Sequence, residues 1–172
     1  MEVRSVEGIV GALSKANVQY LIVGGLAVNA HGYERLTQDV DLVIRLTPDN
    51  VVRGLQALGE IGYRMPIPVT PEQFADASNR EAWRKEKNMT VLRLWSDVHR
   101  RTPVDVFVYE PFRFPEEFAA AKWEEITADT KAPVVRYETL IAMKRFAARP
   151  QDLADVAELE QIQKLREASQ DD

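Results

Sequence analysis

The stretch YLIVGGLAVNAHGYERLTQDVDLVI, residues 20–44, decides the fold, because it places two glycines and two aspartates around two apolar runs. The first run predicts a buried strand over residues 19–23, which ends at Gly24-Gly25. The second run opens with Asp39 and Asp41 and predicts a strand over residues 39–45. Residues two apart on a strand share a face and lie about 7 Å apart. Two like charges therefore share one face of this strand, at an electrostatic cost that needs a reason.

Composition and charge describe a globular protein of ordinary type. The chain has 172 residues, of which 45% are hydrophobic and 28% charged, enough to bury a core as one domain. It contains no cysteine, which excludes disulfides and thiolate metal sites. There is no long apolar run and no apolar leader at the N-terminus, so we expect a cytoplasmic protein without a membrane segment. The net charge of -5 disfavours a general nucleic-acid coat, although two local groups are basic. These groups are Arg93, His99, Arg100 and Arg101, and Lys144, Arg145 and Arg149.

The rest of the chain mixes helical and strand patterns, which predicts a single α+β domain with a mixed sheet covered by helices. We expect it to span residues 1–172, with a core over 1–128 and C-terminal helices within 137–168. A proline-rich stretch at 64–71 is expected to be irregular and to end in a Thr70–Gln73 capping box. The predicted helices cover residues 5–16, 26–31, Thr47 to Gly59 or Gly62, 115–123, 137–148 and 150–168. The predicted further strands cover residues 89–95, 104–109 and Val134-Val135.

A third acid, Asp105, lies in the predicted strand 104–109. If this strand neighbours the one that begins at Asp39, three carboxylates converge, and one would stay protonated unless a cation is present. Oxygen ligands without His or Cys favour Mg²⁺ or Mn²⁺, and a pair of such ions is suited to phosphoryl transfer. Gly24-Gly25, followed by a helix, lets backbone N–H groups approach a phosphate. Together these features indicate a site for a metal–nucleoside triphosphate.

Simpler interpretations remain open for each feature. Asp41 could accept a hydrogen bond from Arg35 or Arg45, and a Gly-Gly pair after a strand is often only a turn. The combination of strand, glycines, helix, D-x-D and a later strand aspartate favours the metal site over these alternatives. Haloacid-dehalogenase-type phosphatases and many glycosyltransferases are disfavoured, because their apolar strand precedes the D-x-D, whereas here it follows.

These motifs resemble a known family. The glycines at 24 and 25, RLTQDVDLVI at 35–44 and VDVFV at 104–108 are similar to the DNA polymerase beta-type nucleotidyltransferase superfamily. More narrowly, they resemble the minimal nucleotidyltransferases that include abortive-infection toxins of toxin–antitoxin systems. The segment ETLIAMKRFAARPQDLADVAEL at 138–159 is similar to the C-terminal helices of that group. The resemblance covers most of the chain and is least clear over residues 62–88.

The resemblance implies a Mg²⁺- or Mn²⁺-dependent enzyme that transfers a nucleoside monophosphate from an NTP to an acceptor hydroxyl. The acceptor could be RNA, such as a tRNA 3′ end, a protein hydroxyl or a small molecule such as an antibiotic, and a toxin-like protein favours RNA or protein. The implied partner of a toxin is an antitoxin protein. The alternative is an inactive module that binds nucleotide or a partner. By position, Asp39 and Asp41 would be metal ligands, Asp105 a third ligand and base, and Gly24 and Gly25 a phosphate cradle. Many members have Gly-Ser at that point, whereas the double glycine is familiar in the toxin-like branch.

Three further residues are candidates for nucleotide binding. Arg35 either pairs with phosphate or with Asp41, and Thr37 either contacts the nucleotide or is only a turn residue. Lys144 either reaches the triphosphate or extends its charge to solvent from a core helix. Two acids near the last helix start, Asp152 and Asp155, are interpreted as stabilising that helix N-terminus. The run at 81–88 is interpreted as a solvated helix face.

Overall fold

The computed structural model describes residues 1–65, 67–128 and 130–169, and within these residues seven strands form one mixed sheet beside eight helices. This confirms the predicted fold class. None of the described helices is both long enough and apolar enough to cross a membrane. The strands are β1 (Tyr20–Val23), β2 (Val40–Ile44), β3 (Tyr63–Arg64), β4 (Val91–Ser96), β5 (Val104–Phe107), β6 (Lys122–Thr127) and β7 (Thr130–Val134). The helices are α1 (Val3–Lys15), α2 (Gly24–Ala30), α3 (Pro48–Glu60), α4 (Pro71–Ala75), α5 (Ala77–Lys87), α6 (Phe114–Ala119), α7 (Tyr137–Ala147) and α8 (Pro150–Ala168).

The order of strands across the sheet is β3-β4-β5-β2-β1-β7-β6. The two central strands β1 and β2 are antiparallel, because α2 and a loop return the chain between them. β2 pairs in parallel with β5, and β1 pairs in parallel with β7. The strand that begins after Asp39 and the strand that contains Asp105 are therefore neighbours in the sheet. β4 joins β5 as an antiparallel hairpin and extends the sheet on that side.

The core lies against the central strands, which explains their continuous apolar sequence. Every residue of β1 is buried. On the other central strand, Leu42 is fully buried. Helix α3 packs against this strand at Gly54, where an added Cβ would lie 3.3 Å from the Ile44 side chain. Because side chains alternate along a strand, Ile44 and Leu42 face α3, and the aspartates of this strand face the opposite side.

Several predicted boundaries are wrong. The helix predicted over 115–123 ends at Ala119, and β6 begins at Lys122. Most residues of β6 are exposed or partly exposed, so this edge strand lacks the apolar alternation by which a strand is recognised. The strand predicted at Val134-Val135 begins earlier, at Thr130.

The predicted helix starts have mixed outcomes. Thr47 precedes α3 as expected, but its side chain accepts no capping hydrogen bond. Thr70 and Gln73 form the predicted capping box of α4. The stretch predicted to be irregular begins with the last residue of the two-residue strand β3, and Pro66 within it lies outside the described residues.

Truncating Leu42 to alanine is expected to destabilise the fold, because its side chain is 0% exposed and its loss leaves a cavity in the centre of the sheet. The expected loss is about 2–5 kcal/mol of unfolding free energy, measured by urea denaturation. Leu36→Ala is the matched control, since Leu36 is 97% exposed and its loss should change stability by less than about 0.5 kcal/mol. Equal stability of the two variants would contradict the assigned register of β2.

Candidate active site

One strand pairing and the alternation of side chains along β2 place the three predicted acids on one side of the sheet. β2 and β5 run in parallel with Asp41 directly opposite Asp105. Neighbouring strands lie about 4.8 Å apart, so these two carboxylates share one small region of the sheet face. Asp39 immediately precedes β2 and shares the face of Asp41 by the two-residue alternation. The structure therefore brings Asp41 and Asp105 together and places Asp39 on the same face of the sheet.

An arginine from the next strand holds two of these acids. Arg93 on β4 lies opposite Asp105 in the antiparallel register. Its guanidinium binds both oxygens of Asp105, with Nε–Oδ1 and Nη2–Oδ2 distances of 2.8 Å. The same Nη2 also donates to Oδ2 of Asp39 at 2.9 Å. One planar cation therefore bridges two carboxylates that would otherwise repel each other.

Asp41 is the carboxyl group whose ionisation is most costly. Burial, together with the negative charges of Asp39 and Asp105, raises its pKa from 3.8 to about 7. The Gly25 backbone N–H and the Lys144 ammonium oppose this rise only in part. Near neutral pH, the three acids therefore share fewer than three negative charges.

Positions 24 and 25 require glycine, because Asp41 and the loop that precedes it approach the backbone closely there. Gly24 has φ +64°, and a Cβ there would lie 1.9 Å from Oδ2 of Asp41. A Cβ at Gly25 would lie 2.4 Å from Oγ1 of Thr37 and 3.3 Å from Nη2 of Arg35. The start of α2 therefore packs directly on Asp41, Thr37 and Arg35, and larger residues would separate them.

A buried ion network connects this loop to the C-terminal helices. Arg35 donates two hydrogen bonds to Asp155, at 2.7 and 2.8 Å, so its predicted pairing with Asp41 is wrong. Lys144 binds Asp155 at 2.8 Å and Asp152 at 3.1 Å, and Arg149 binds Asp152 at 2.7 Å. Because Lys144 is buried, its predicted extension to solvent is also wrong.

The interpretation of the two acids of α8 as residues that only stabilise a helix N-terminus is incomplete. Asp152 does accept a hydrogen bond from the Arg149 backbone N–H at 3.3 Å, as a capping residue does. However, Asp152 is 2% exposed and Asp155 is 0% exposed, and bonds to cations lower the pKa of both. Their main role in the structure is to neutralise the buried Lys144, together with the partly exposed Arg35 and the exposed Arg149.

A cavity of about 610 Å³ opens beside Asp41, between the end of β5 and helix α7. Gly24, Asp41, Lys144 and Arg149 line its polar part. Most of the remaining wall is apolar or aromatic, as is typical of sites for small organic ligands. The aromatic and methionine residues in this wall are Phe107, Tyr109, Phe112, Met143 and Phe146.

Arg93 and the cavity wall do not stand out as site residues in the sequence. There, Arg93 is only one member of a basic group with His99, Arg100 and Arg101. A pairing argument could have found it: a hairpin that sets Leu94 opposite Val104 also sets Arg93 opposite Asp105, as an opposite-charge pair. No comparable pattern indicates the cavity wall, whose members come from β5, the loop after it and α7.

Comparison with known proteins shows a shared fold without close sequence similarity. No protein-family model matches the chain, and no curated protein matches it in sequence. The lincosamide antibiotic adenylyltransferase LnuA, solved with lincomycin bound, superposes with a TM-score of 0.60 at 14% identity, covering 91% of this chain and 95% of that chain. The antibiotic-resistance factor ANT(2'')-Ia, solved with adenylyl-2''-tobramycin, gives a TM-score of 0.54 at 15% identity, covering 96% and 95%.

A third solved structure supports the same conclusion. An antigenic nucleotidyltransferase-like protein from Paracoccidioides brasiliensis gives a TM-score of 0.55 at 18% identity, covering 92% of this chain and 75% of that chain. All of these identities are low, so what the chain shares with these proteins is the fold. The chain has the nucleotidyltransferase fold.

Replacing Lys144 with methionine is expected to destabilise the protein by about 3–5 kcal/mol, because two buried carboxylates lose a shared cation. The measurement is urea denaturation at pH 7. Lys131→Met is the matched control, since Lys131 pairs with Glu125 at 3.3 Å on the surface and both side chains are more than half exposed. That control should lose less than about 1 kcal/mol. Equal losses in the two variants would show that the buried network is energetically unimportant.

The raised pKa of Asp41 predicts a stability that falls as pH rises. Between pH 3.8 and about 7, the folded protein keeps a proton on Asp41 that the unfolded chain has released. The native state therefore binds more protons in this window, and its stability falls through it. In EDTA at pH 8, Asp41→Asn should be more stable than the unaltered protein by about 2–4 kcal/mol, because it removes this penalty.

The comparison at low pH provides the control for this prediction. At pH 4 the difference should shrink to less than about 0.5 kcal/mol, since Asp41 is then protonated and resembles asparagine. Chemical denaturation at several pH values measures both limits. An Asp41→Asn protein that is less stable than the unaltered one at pH 8 would contradict the electrostatic account.

Proposed function

We propose that the protein is a Mg²⁺- or Mn²⁺-dependent nucleotidyltransferase that transfers a nucleoside monophosphate from an NTP to an acceptor hydroxyl. The observation that carries this proposal is the parallel register that sets Asp41 opposite Asp105, beside Gly24, in a chain with the nucleotidyltransferase fold. A fold alone does not determine an activity, and the proposal is supported by carboxylates that lie beside the glycine turn on one face of the sheet.

The donor set fits a hard divalent cation in its chemistry. Asp39, Asp41 and Asp105 offer only carboxylate oxygens, and their mutual repulsion favours a bound cation. In the side-chain positions of the described residues, however, no three His, Cys, Asp or Glu side chains lie close enough to hold an ion together. Two of the acids are bound to Arg93 in these positions. When bound, the metal would polarise the phosphates and neutralise the charge that develops during transfer.

The glycine turn and the cavity support binding of the donor nucleotide. Gly24 and Gly25 leave the backbone accessible beside Asp41, and Lys144 and Arg149 add positive charge to the same cavity. The apolar and aromatic wall suits the flat face of a nucleobase. Thr37 and Arg35 would act on the nucleotide through the glycine turn, since both side chains lie beside the space that a Cβ at Gly25 would occupy.

The proposed reaction conserves atoms and charge with residues on this face. The acceptor oxygen attacks the α-phosphorus, the bond from that phosphorus to the β-phosphate oxygen breaks, and pyrophosphate leaves. The proton of the acceptor hydroxyl passes to a carboxylate, for which we propose Asp105. Asp41 and Asp39 would orient the triphosphate through the cation. The buried position of Asp105, which is 6% exposed, keeps this carboxylate fixed for the transfer.

The acceptor and the biological role are finer parts of the proposal. The resemblance of residues 35–44 and 138–159 to toxin-like nucleotidyltransferases supports RNA or protein as the acceptor, and an antitoxin protein as a partner. A small molecule is the second candidate, because two solved structures with this fold are an antibiotic adenylyltransferase and an antibiotic-resistance factor. Binding of nucleotide without transfer is the remaining alternative.

Asp39→Asn and Asp41→Asn are each expected to reduce transfer at least about a hundredfold, because each removes one of the converging carboxylates. The assay incubates purified protein with each α-labelled NTP and Mg²⁺ or Mn²⁺, together with total tRNA, cell extract, lincomycin or tobramycin. Label on RNA, protein or antibiotic identifies the acceptor class. Asp97→Asn is the matched control, since Asp97 is exposed and pairs with Arg100 on the same turn.

Three results would count against the proposal in different ways. Undiminished transfer in both site variants would exclude these acids as the catalytic ones. Labelling with EDTA present would exclude the metal requirement. Saturable binding of Mg–NTP without labelling of any acceptor would favour a nucleotide-binding module.

A further inference from the structure

Arg93 uses its guanidinium on the same carboxylates that the proposed function assigns to a metal. It binds both oxygens of Asp105 and one oxygen of Asp39. A divalent cation at these oxygens would be repelled by the guanidinium that already binds them, because two positive charges in close contact repel each other. The guanidinium and a divalent cation therefore compete for this position.

We propose that Arg93 is an internal counter-ion that occupies the position of the divalent cation between Asp39 and Asp105, and that metal binding displaces it. This inference rests on the proposed function and adds a regulatory step to it. The arginine keeps the acids together before the metal arrives. It also occupies both oxygens of Asp105, the proposed base, until its own side chain has moved.

The surroundings of Arg93 allow this movement. Its side chain is 56% exposed, so the guanidinium can turn outward without leaving a buried cavity. It extends from β4, and its neighbours Leu92 and Leu94 anchor that strand in the core. The side chain can therefore move while the strand stays in place.

Lys144 differs from Arg93 in how firmly its side chain is held. Its side chain is 6% exposed and bridges two buried acids on α8, so it is fixed in position. Arg93 instead bridges Asp39, which is 32% exposed, and Asp105, which is 9% exposed. Of these two cations next to the acids, Arg93 is the exchangeable one and Lys144 is the permanent one.

Displacement has a measurable effect on metal affinity. When only part of the protein population has the acids available, the apparent dissociation constant is the intrinsic one divided by that fraction. Removing the guanidinium makes the acids available in every molecule and also removes a repelling charge. Arg93→Gln should therefore bind the metal more tightly than the unaltered protein, which is the opposite of what a simple structural arginine would show.

The test is calorimetric titration of EDTA-treated full-length protein with Mn²⁺ alone, without nucleotide. We expect the dissociation constant of Arg93→Gln to be at least about fivefold lower than that of the unaltered protein. Arg93→Lys keeps the charge without the planar fork and should fall between the two. Arg113→Gln is the matched control: Arg113 pairs with Glu116 on the surface, its side chain is 85% exposed, and its loss should leave the constant unchanged.

Thermal unfolding provides a second readout that does not depend on activity. Without metal, Arg93→Gln should melt below the unaltered protein, because Asp39 and Asp105 then lack their shared cation. Added Mn²⁺ should raise the melting temperature of Arg93→Gln more than that of the unaltered protein, since the ligand binds the folded state more tightly. If Arg93→Gln does not fold, Arg93→Lys still provides the test. Tighter Mn²⁺ binding by Arg93→Lys than by the unaltered protein would show that Arg93 competes with the metal, and weaker binding would show that Arg93 supports the metal site.

The outcomes separate this inference from the proposed function. Tighter Mn²⁺ binding by Arg93→Gln supports the inference. Equal or weaker binding by a folded Arg93→Gln overturns it and leaves the proposed metal site standing, with Arg93 as a positioning residue. If neither protein binds Mn²⁺, and Asp41→Asn behaves the same, both the inference and the metal-dependent function are overturned.

Discussion

The parallel pairing of β2 with β5 is the constraint on which the site depends. Backbone hydrogen bonds fix Asp41 opposite Asp105, so these two carboxylates cannot move apart without breaking the centre of the sheet. The protein accommodates the repulsion in two ways. Arg93 neutralises Asp105 and Asp39 from the neighbouring strand, and Asp41 keeps a proton up to about pH 7. Gly24 is required for the same reason, since Asp41 occupies the space of its missing side chain.

A second set of charges fixes the loop before the acids. Arg35 lies four residues before Asp39 and is held by Asp155 of α8 through two hydrogen bonds. Asp155 also binds Lys144 of α7, and Asp152 binds both Lys144 and Arg149. Three cations share two buried anions, which leaves one positive charge beside the cavity that contains Asp41. The C-terminal helices therefore help to position the site and to set its electrostatic field.

The sequence predicted the parts of the site that depend on local patterns. The apolar run before Gly24 is continuous, as in a strand buried on both faces. The residues after Asp39 and around Asp105 alternate with the two-residue period of a strand. The structure has strands at all three places. Strand β6 was missed because its side chains are mostly exposed, so burial left no pattern in its sequence.

The partners of the charged residues were predicted less well, because charge pairs in this fold are long-range. Arg35 and its partner Asp155 are 120 positions apart, and nothing local to either residue identifies the other. Arg93 and Asp105 are 12 positions apart across a hairpin, so their pairing follows once the register is known. A small change of register would have given Arg93 a different partner, and propensity does not fix register.

The surroundings of the three acids differ between a mostly apolar cavity and a surface open to solvent. The proposed donor and acceptor could therefore reach the acids by different routes. On one side of Asp41 lies a cavity with an aromatic wall and a fixed ammonium, which suits a nucleobase and its phosphates. Asp39 and Arg93 do not line this cavity and are partly exposed to solvent, so a bulky acceptor could approach the acids from there without passing through the cavity. In this arrangement the acceptor would meet Arg93 before it meets Asp105. The same displacement that admits the metal would then also open the base to the acceptor hydroxyl, so that attack would require a loaded metal site.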